Sequence, residues 1–334
     1  MPASGEQAMP EGSIRVLDPF RDLKEVVELI SLAFGERLDP AGRATLERMR
    51  RFARSGPVMQ WLWAFLGRAA AAPGLVWVVD GEIVGNVSLR RSRGGNGYLI
   101  GNVVVHPDHR GQGIGGAMMR RAIRVVSRRG APWVGLEVRA DNEVARTMYD
   151  ELSFYEVGRT HHMIREHRRG RLKAARPQLR LRRGGWRDAD GVVRLMERAI
   201  PEEQRPLLEK TAEDYRPGWA RRIDHWLRCE DEVWWVAPGD DGLQGAVRAV
   251  RKSGSLPHRL EVLVAPGIAQ DVASALARRG LTRLSGSKRP ITSTVPGAAD
   301  CLLGVLRTEG FREMRVLVQM KRDLKHRVPV KGRV

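Results

Sequence analysis

The most constraining feature of this chain is the run Val103-Val104-Val105-His106-Pro107-Asp108-His109-Arg110-Gly111-Gln112-Gly113-Ile114-Gly115-Gly116. Three successive valines read as a buried strand. Residues 115–127 place Ala122, Ile123 and Val126 on one side and arginines on the other, which is the pattern of an amphipathic helix. Between strand and helix lies a turn with glycine at 111 and 113, and two more glycines open the helix. A helix start presents unpaired N–H groups and the positive end of the macrodipole. The glycines remove the Cβ atoms that would keep an anion at a distance, and Arg110 adds charge. The turn therefore predicts a site for a phosphate-like anion. A triphosphatase loop is excluded, because no Gly-Lys-Ser/Thr follows. The spacing also departs from the dinucleotide fingerprint, and the strand follows a meander rather than opening the chain.

The surrounding pattern predicts a layered α/β (α+β) fold. Residues 14–17 read as a strand and 23–34 as a helix, with Val26, Val27, Ile30 and Phe34 at helical spacing. Further helices are expected at 45–52 and 58–70. Strands at 75–79 and 83–89 are joined by Asp80-Gly81, a strong hairpin signal. The strand 98–105 enters the glycine turn, and 133–138, 143–152 and 154–164 read as strand, helix and closing strand. A meander followed by β-α-β-α-β implies a mixed central sheet flanked by helices.

A second cluster sharpens the reading. Leu136-Glu137-Val138-Arg139-Ala140-Asp141-Asn142 is followed by Ala145, Tyr149, Leu152 and Phe154. Together with Arg110-x-x-Gly113-x-Gly115 after the valine strand, this resembles the two central motifs of the GNAT N-acetyltransferase superfamily. It is similar above all to the ribosomal-protein alanine N-acetyltransferases. Ser153 stands where the motif has glycine. The resemblance spans residues 14–166 and is specific over 98–154. It implies acetyl-CoA, or another short acyl-CoA, as co-substrate, and transfer of the acyl group to a primary amine by direct attack on the thioester. By the same resemblance, Val103, Val104 and Val105 would pair with the pantetheine amides. The N–H groups of Gly111, Gln112, Gly113, Ile114, Gly115 and Gly116 would hold the pyrophosphate, with Arg110 adding charge. Asn142 would contact the pantetheine arm, Tyr149 would protonate the leaving thiolate, and an N–H near Val105 would stabilise the oxyanion. Glu137 is the matching candidate for the base, although a structural glutamate fits the same strand. His106, His109, His161 and His162 are alternative proton carriers. Trp61, Trp63 and Met59, with Glu36, Asp39 and Glu47, fall in the region that shapes the acceptor pocket of the superfamily.

The chain also repeats itself. Val76-Trp77-Val78-Val79 matches Val233-Trp234-Trp235-Val236, and Phe154 matches Phe311, both at an offset of 157 residues. Ile14-Arg15-Val16 matches Leu179-Arg180-Leu181 in the same order. At that offset Asn142 falls on Ala299 and Tyr149 on Leu306. Gly267-Ile268-Ala269-Gln270-Asp271 has neither arginine nor a glycine ladder. The second copy is thus expected to be a degenerate GNAT-like domain, a pattern known in tandem GNAT proteins, mycothiol synthases among them. The expected organisation is a tail at 1–12, a catalytic domain at 13–166, a basic linker at 167–178, the degenerate domain at 179–324 and a basic tail at 325–334. One active site is expected per chain, and the two halves are free to pair within it.

Composition adds limits. Of the 334 residues 42% are hydrophobic, enough for two cores. No run of about 18 apolar residues suggests a membrane span, and the first residues have no leader pattern. Cys229 and Cys301 sit in no metal or redox spacing, so no metal and a cytoplasmic location are expected. The net charge of +19 points towards a polyanion, but an Arg-rich, Lys-poor composition produces the same charge in a GC-biased genome. The expected partner is a small-molecule or peptide amine, not nucleic acid. A non-catalytic acyl-CoA-binding module, or acetylation of a nucleic-acid-associated or ribosomal substrate, is the alternative.

Overall fold

The computed structural model describes residues 12–34, 43, 46–47, 50, 74–166, 181–209, 211, 214–215, 230–240, 242–254 and 256–324. They form two compact units that are interleaved along the chain. One gathers Met1–Glu137, Val144–Tyr155 and Met320–Val334, and the other gathers Val138–Glu143 and Glu156–Gln319.

In the first unit, β1 (Ser13–Val16), β2 (Leu75–Val79), β3 (Glu82–Arg91) and β4 (Tyr98–Val105) run antiparallel in that order, and β5 (Trp133–Arg139) joins β4 in parallel. The Asp80-Gly81 hairpin is a two-residue loop with both residues at positive φ, the conformation that matches strand twist. Helix α1 (Leu23–Phe34) packs Val26, Val27 and Ile30 against Val76, Ile83 and Val104 on one face of the sheet. Helix α2 (Ile114–Arg128) covers the other face through Met118, Met119, Ala122 and Val126, all fully buried. Burial of each such large side chain contributes about 1.5–3 kcal/mol. Gly85 permits this approach, since a Cβ there would lie 2.7 Å from the Met118 methyl. Helix α3 (Glu143–Glu151) leads into β6 (Tyr155–Arg165). Of the helix expected at 45–52, residues 46, 47 and 50 are described, as helical; the one expected at 58–70 lies outside the described residues. So do Glu36, Asp39, Met59, Trp61, Trp63, Arg180 and Cys229.

The second unit has β7 (Arg182–Arg183), β8 (Asp231–Gly239), β9 (Gly242–Arg251), β10 (His258–Val264), β11 (Ile291–Pro296) and β12 (Arg312–Asp323). Its strand order is β7-β8-β9-β10-β11-β6-β12. β6 thus leaves the first half of the sequence to pair antiparallel with β11 from Thr160 to Arg165. Met163 of β6 is sealed in the core built by α6 (Gln270–Leu284) and α7 (Asp300–Thr308). Helix α4 (Ala189–Ala199) covers the opposite face through Val192, Leu195 and Met196, with the short α5 (Arg205–Leu208) following it. The two sequence copies share a device before their first helix. Arg15 pairs with buried Asp22, and Arg182 pairs with Asp188. The arginine that repeats the role of Arg15 is Arg182, two residues beyond the Arg180 that sequence matching aligned with it.

The return of the chain end completes the first unit. Leu324 N–H donates to Pro132 O at 2.7 Å, Arg322 donates to Leu152 O, and the Tyr155 hydroxyl donates to Asp323 at 2.8 Å. A chain ending at residue 319 should therefore lose stability in the first unit, where residues 144–155 lose their partners. Hydrogen exchange of α3 measured against the full chain checks this, and unchanged exchange would refute it.

His258 makes a second test. Its side chain is fully buried and Nδ1 accepts from Lys252 N–H at 3.1 Å. Burial, helped by Arg289 and Arg251, pushes its pKa down to about 4. The unfolded imidazole binds a proton near 6.5, before the folded one does, so acid favours unfolding. The stability contributed by neutral His258 should be complete above about pH 7 and fall between about 6.5 and 4. Urea midpoints for wild type and His258→Gln at pH 7 and 4.5 should differ in pH slope, the wild type falling more steeply.

Candidate functional site

The glycine turn and the strands around it lie in the first unit. β3 and β4 pair as Gly85↔Val105 and Asn86↔Val104, then resume as Ser88↔Gly101. β4 therefore carries one extra residue there, a β-bulge. Asn102 sits in it at φ +49°, a conformation that asparagine tolerates better than most residues. The parallel pairing of β4 with β5 covers Tyr98↔Val134, Leu99↔Gly135 and Ile100↔Leu136, and stops there, one residue short of Gly101. Beyond the bulge, Val104 and Val105 stay paired with β3 but not with β5. Val104 points into the core, while Val103 and Val105 are half-buried. The sequence showed three valines in a row but not the break in pairing that opens their second edge.

The turn is held by its own backbone. His106 Nδ1 accepts from Asp108 N–H at 3.3 Å, and the N–H groups of His109 and Arg110 donate to the carbonyls of His106 and Pro107. The pattern then stops. The N–H groups of Gly111, Gln112, Gly113, Ile114, Gly115 and Gly116 find no acceptor among the described residues, and Ala117 is the first to bond back, to Gly113 O at 3.0 Å. Six donors at the positive end of a 15-residue helix make a cradle for an anion. Gly111 and Gly113 have φ of +78° and +77°, where a side chain would strain the backbone. Arg110 is exposed, and its Nε donates to Val105 O at 3.3 Å. Arg120 was not singled out in the sequence. Its guanidinium lies 3.2 Å from where a Cβ on Gly116 would stand. The signal was present, since residues four apart share a helix face.

Tyr149 of α3 is 5% exposed and packs on Phe154 with ring centroids 5.9 Å apart; its carbonyl accepts from Phe154 N–H at 3.0 Å, while its hydroxyl bonds to no described residue. Burial pushes its pKa up to about 12. Its neighbour Met148 reaches the start of α2, with Sδ 3.6 Å from the Cβ position of Gly115; Val105 Cγ2 is 3.8 Å from the same point. α3, the open edge of β4 and the glycine turn thus converge. Glu137 is exposed near the end of β5. Asn142 is exposed, donates its N–H to Arg139 O at 3.0 Å, and belongs to the stretch Val138–Glu143 of the other unit. The histidines divide. His106 shapes the turn, and His109 contacts it edge-on at 6.0 Å. His161 and His162 lie on β6 in the second unit, where His161 Nδ1 is 2.7 Å from Glu313.

The corresponding place in the second unit is closed. β9 and β10 pair without a register shift. At the start of α6, Ile268 N–H donates to Ala265 O, and Val272 N–H is taken by both Ala269 O and the Asp271 carboxylate, the latter at 2.8 Å. A carboxylate thus occupies the helix start. Leu306, aligned with Tyr149, is fully buried in the core.

A strand that loses one partner beyond a bulge, a glycine turn with free donors and a helix behind it thus lie together in a layered α/β unit. Residues 41–154 match the model of the acetyltransferase (GNAT) family. An acetyltransferase of Pectobacterium atrosepticum is 40% identical over 84 residues, which cover 25% of this chain and 57% of that protein. The chain thus spans about half the length of the curated relatives it matches. A GCN5-related N-acetyltransferase from Sphaerobacter thermophilus has the same fold over 95% of this chain and 98% of its own, at 18% identity and a TM-score of 0.66. A tandem GNAT protein from the clavulanic acid biosynthesis pathway aligns over 94% and 99%, at 16% identity and a TM-score of 0.59. Both copies of the repeat are therefore present in a tandem GNAT fold.

Gly113→Val should weaken binding of coenzyme A by at least about tenfold and cost about 1–2 kcal/mol of stability, because a branched residue is forced to positive φ. Calorimetric titration with a thermal melt checks both.

Proposed function

We propose that this chain is an acyl-CoA-dependent N-acyltransferase with one active site, in its first unit, acting on a primary amine of a small molecule or peptide. The observation that carries the reading is the cradle of free N–H groups at residues 111–116, set directly after a strand edge that has lost its partner. The two features suit the two ends of coenzyme A. The donors and Arg110 suit its pyrophosphate, with Arg120 beside them. The open backbone of Val103, Val104 and Val105 suits the amides of the pantetheine arm, as an added strand suits a sheet edge. Asn142 is assigned to the same arm by its match to the family motif.

Acetyl-CoA, as co-substrate, supplies a thioester already activated towards an amine. The chain's task is to orient it, polarise its carbonyl and manage two protons. A backbone N–H at Val105 or beside it is the assigned donor to the carbonyl oxygen as charge develops there. The amine must be neutral to attack, so its ammonium proton leaves first, to Glu137 or to water held by it. As the new C–N bond forms and the C–S bond breaks, Tyr149 donates a hydrogen bond to the sulfur. Its pKa of about 12 keeps the phenol protonated at every physiological pH. A thiol titrates near 8.5, so complete transfer from Tyr149 would run uphill by about 3.5 units. Tyr149 therefore works chiefly as a donor to the developing thiolate, and the balancing proton is the one released by the amine.

Release of free CoA thiol from acetyl-CoA in the presence of an amine panel tests the activity; no release with any amine would support the non-catalytic binding module instead. Tyr149→Phe should lower kcat by about a hundred- to ten-thousand-fold, the span of general acid–base assistance, while leaving CoA affinity nearly intact. Unchanged turnover would remove Tyr149 from the mechanism.

A further inference from the structure

We infer that Asn86 is a positioning residue for acyl transfer: from inside the first unit it staples the bulge of β4 and so keeps the acyl-CoA strand edge open. The inference rests on the reading above. Asn86 lies on β3 and is fully buried. Its Nδ2 donates to the carbonyl of Asn102, the bulge residue at positive φ, at 2.9 Å. From the other side, Asn102 Nδ2 donates to Ser88 Oγ at 3.2 Å. The bulge is thus gripped by both residues that flank Val87 on β3, at the point where the β3–β4 register slips.

Two features show that this is more than sheet packing. First, Asn86 Oδ1 is buried and has no hydrogen-bond partner. A side chain that only filled the core would be better apolar, since an orphaned buried oxygen carries a desolvation cost that an aliphatic side chain avoids. What the amide adds is the donor to Asn102. Second, the parallel β4–β5 ladder ends at Ile100, immediately before the stapled segment. Without the extra residue held in place, the alternation along β4 would shift by one. Every backbone group from Val103 onward would then face the other way relative to β5. The second unit supplies the contrast. β9 and β10 run in continuous register there, and the Asp271 carboxylate takes the Val272 N–H at the start of α6.

The test separates the two halves of the ligand. Adenosine 3′,5′-bisphosphate carries no pantetheine arm and needs the glycine turn without the strand edge, whereas CoA uses both. In the full-length chain, Asn86→Asp keeps the shape but replaces the donor with an oxygen facing the Asn102 carbonyl. It should weaken CoA binding about tenfold and leave the bisphosphate within about twofold. Adding Asn102→Gly should restore most of the CoA affinity, because glycine holds positive φ without a staple. Should Asn86→Asp fail to fold, Ser88→Ala reads the other grip, with a smaller loss in the same direction. Equal loss of both ligands, or no rescue by glycine, would make Asn86 merely structural and overturn the inference. Unchanged CoA binding would overturn it too. Failure of the wild type to bind CoA would instead overturn the functional reading itself.

Discussion

The first unit depends on one constraint: β4 cannot remain paired on both sides along its whole length. It is laid down as an ordinary inner strand from Tyr98 to Ile100, with β3 on one side and β5 on the other. The extra residue at Asn102 then breaks the rhythm. From Val104 onward the strand keeps β3 and loses β5, so the backbone groups along its second edge have no strand partner. Such groups are costly unless something completes them. In this fold they lead straight into the glycine turn, whose donors are equally incomplete.

The two helix starts differ in a few residues. At α2 the chain supplies glycines, no acidic residue in the first turn and a nearby Arg120. At α6 the same topological position carries Asp271, whose carboxylate takes the Val272 N–H. A resident carboxylate satisfies the helix dipole from within and repels a phosphate from outside. The buried ion pairs of the second unit point the same way. Arg248 lies between Glu232 and Glu261, and the Tyr215 hydroxyl bonds to Glu261 at 3.1 Å. These groups fill the space around β9 and β10 with mutually satisfied charge. The second unit thus has a sheet and helices like those of the first, with buried charged groups that bond to each other.

The two units are interleaved along the chain. β6 follows the helix that carries Tyr149, yet its residues from Glu156 onward are counted in the second unit, and Met163 is buried in that core. In return, the end of β12 supplies Arg322 to the Leu152 carbonyl and Asp323 to Tyr155. These contacts lie just past α3. The end of β12 thus helps to fix the residues that follow the helix holding Tyr149.

The sequence alone determined the local chemistry. The alternation and spacing around 75–79, 98–105 and 115–127 specify strands and a helix, because period and turn residues are local properties. Glycines at 111, 113, 115 and 116 specify a turn open to an anion, because only glycine accepts positive φ and close approach without strain. The offset between Phe154 and Phe311 revealed the repeat. Only the tertiary structure decided the rest. That Asn86 grips Asn102 sixteen residues away depends on strand register, which no short window contains. That β6 and β12 are shared between the units depends on which edges find partners. That Tyr149 holds its proton up to about pH 12 depends on what buries it. In each case the deciding quantity is a contact between distant segments, and the chain carries it only once folded.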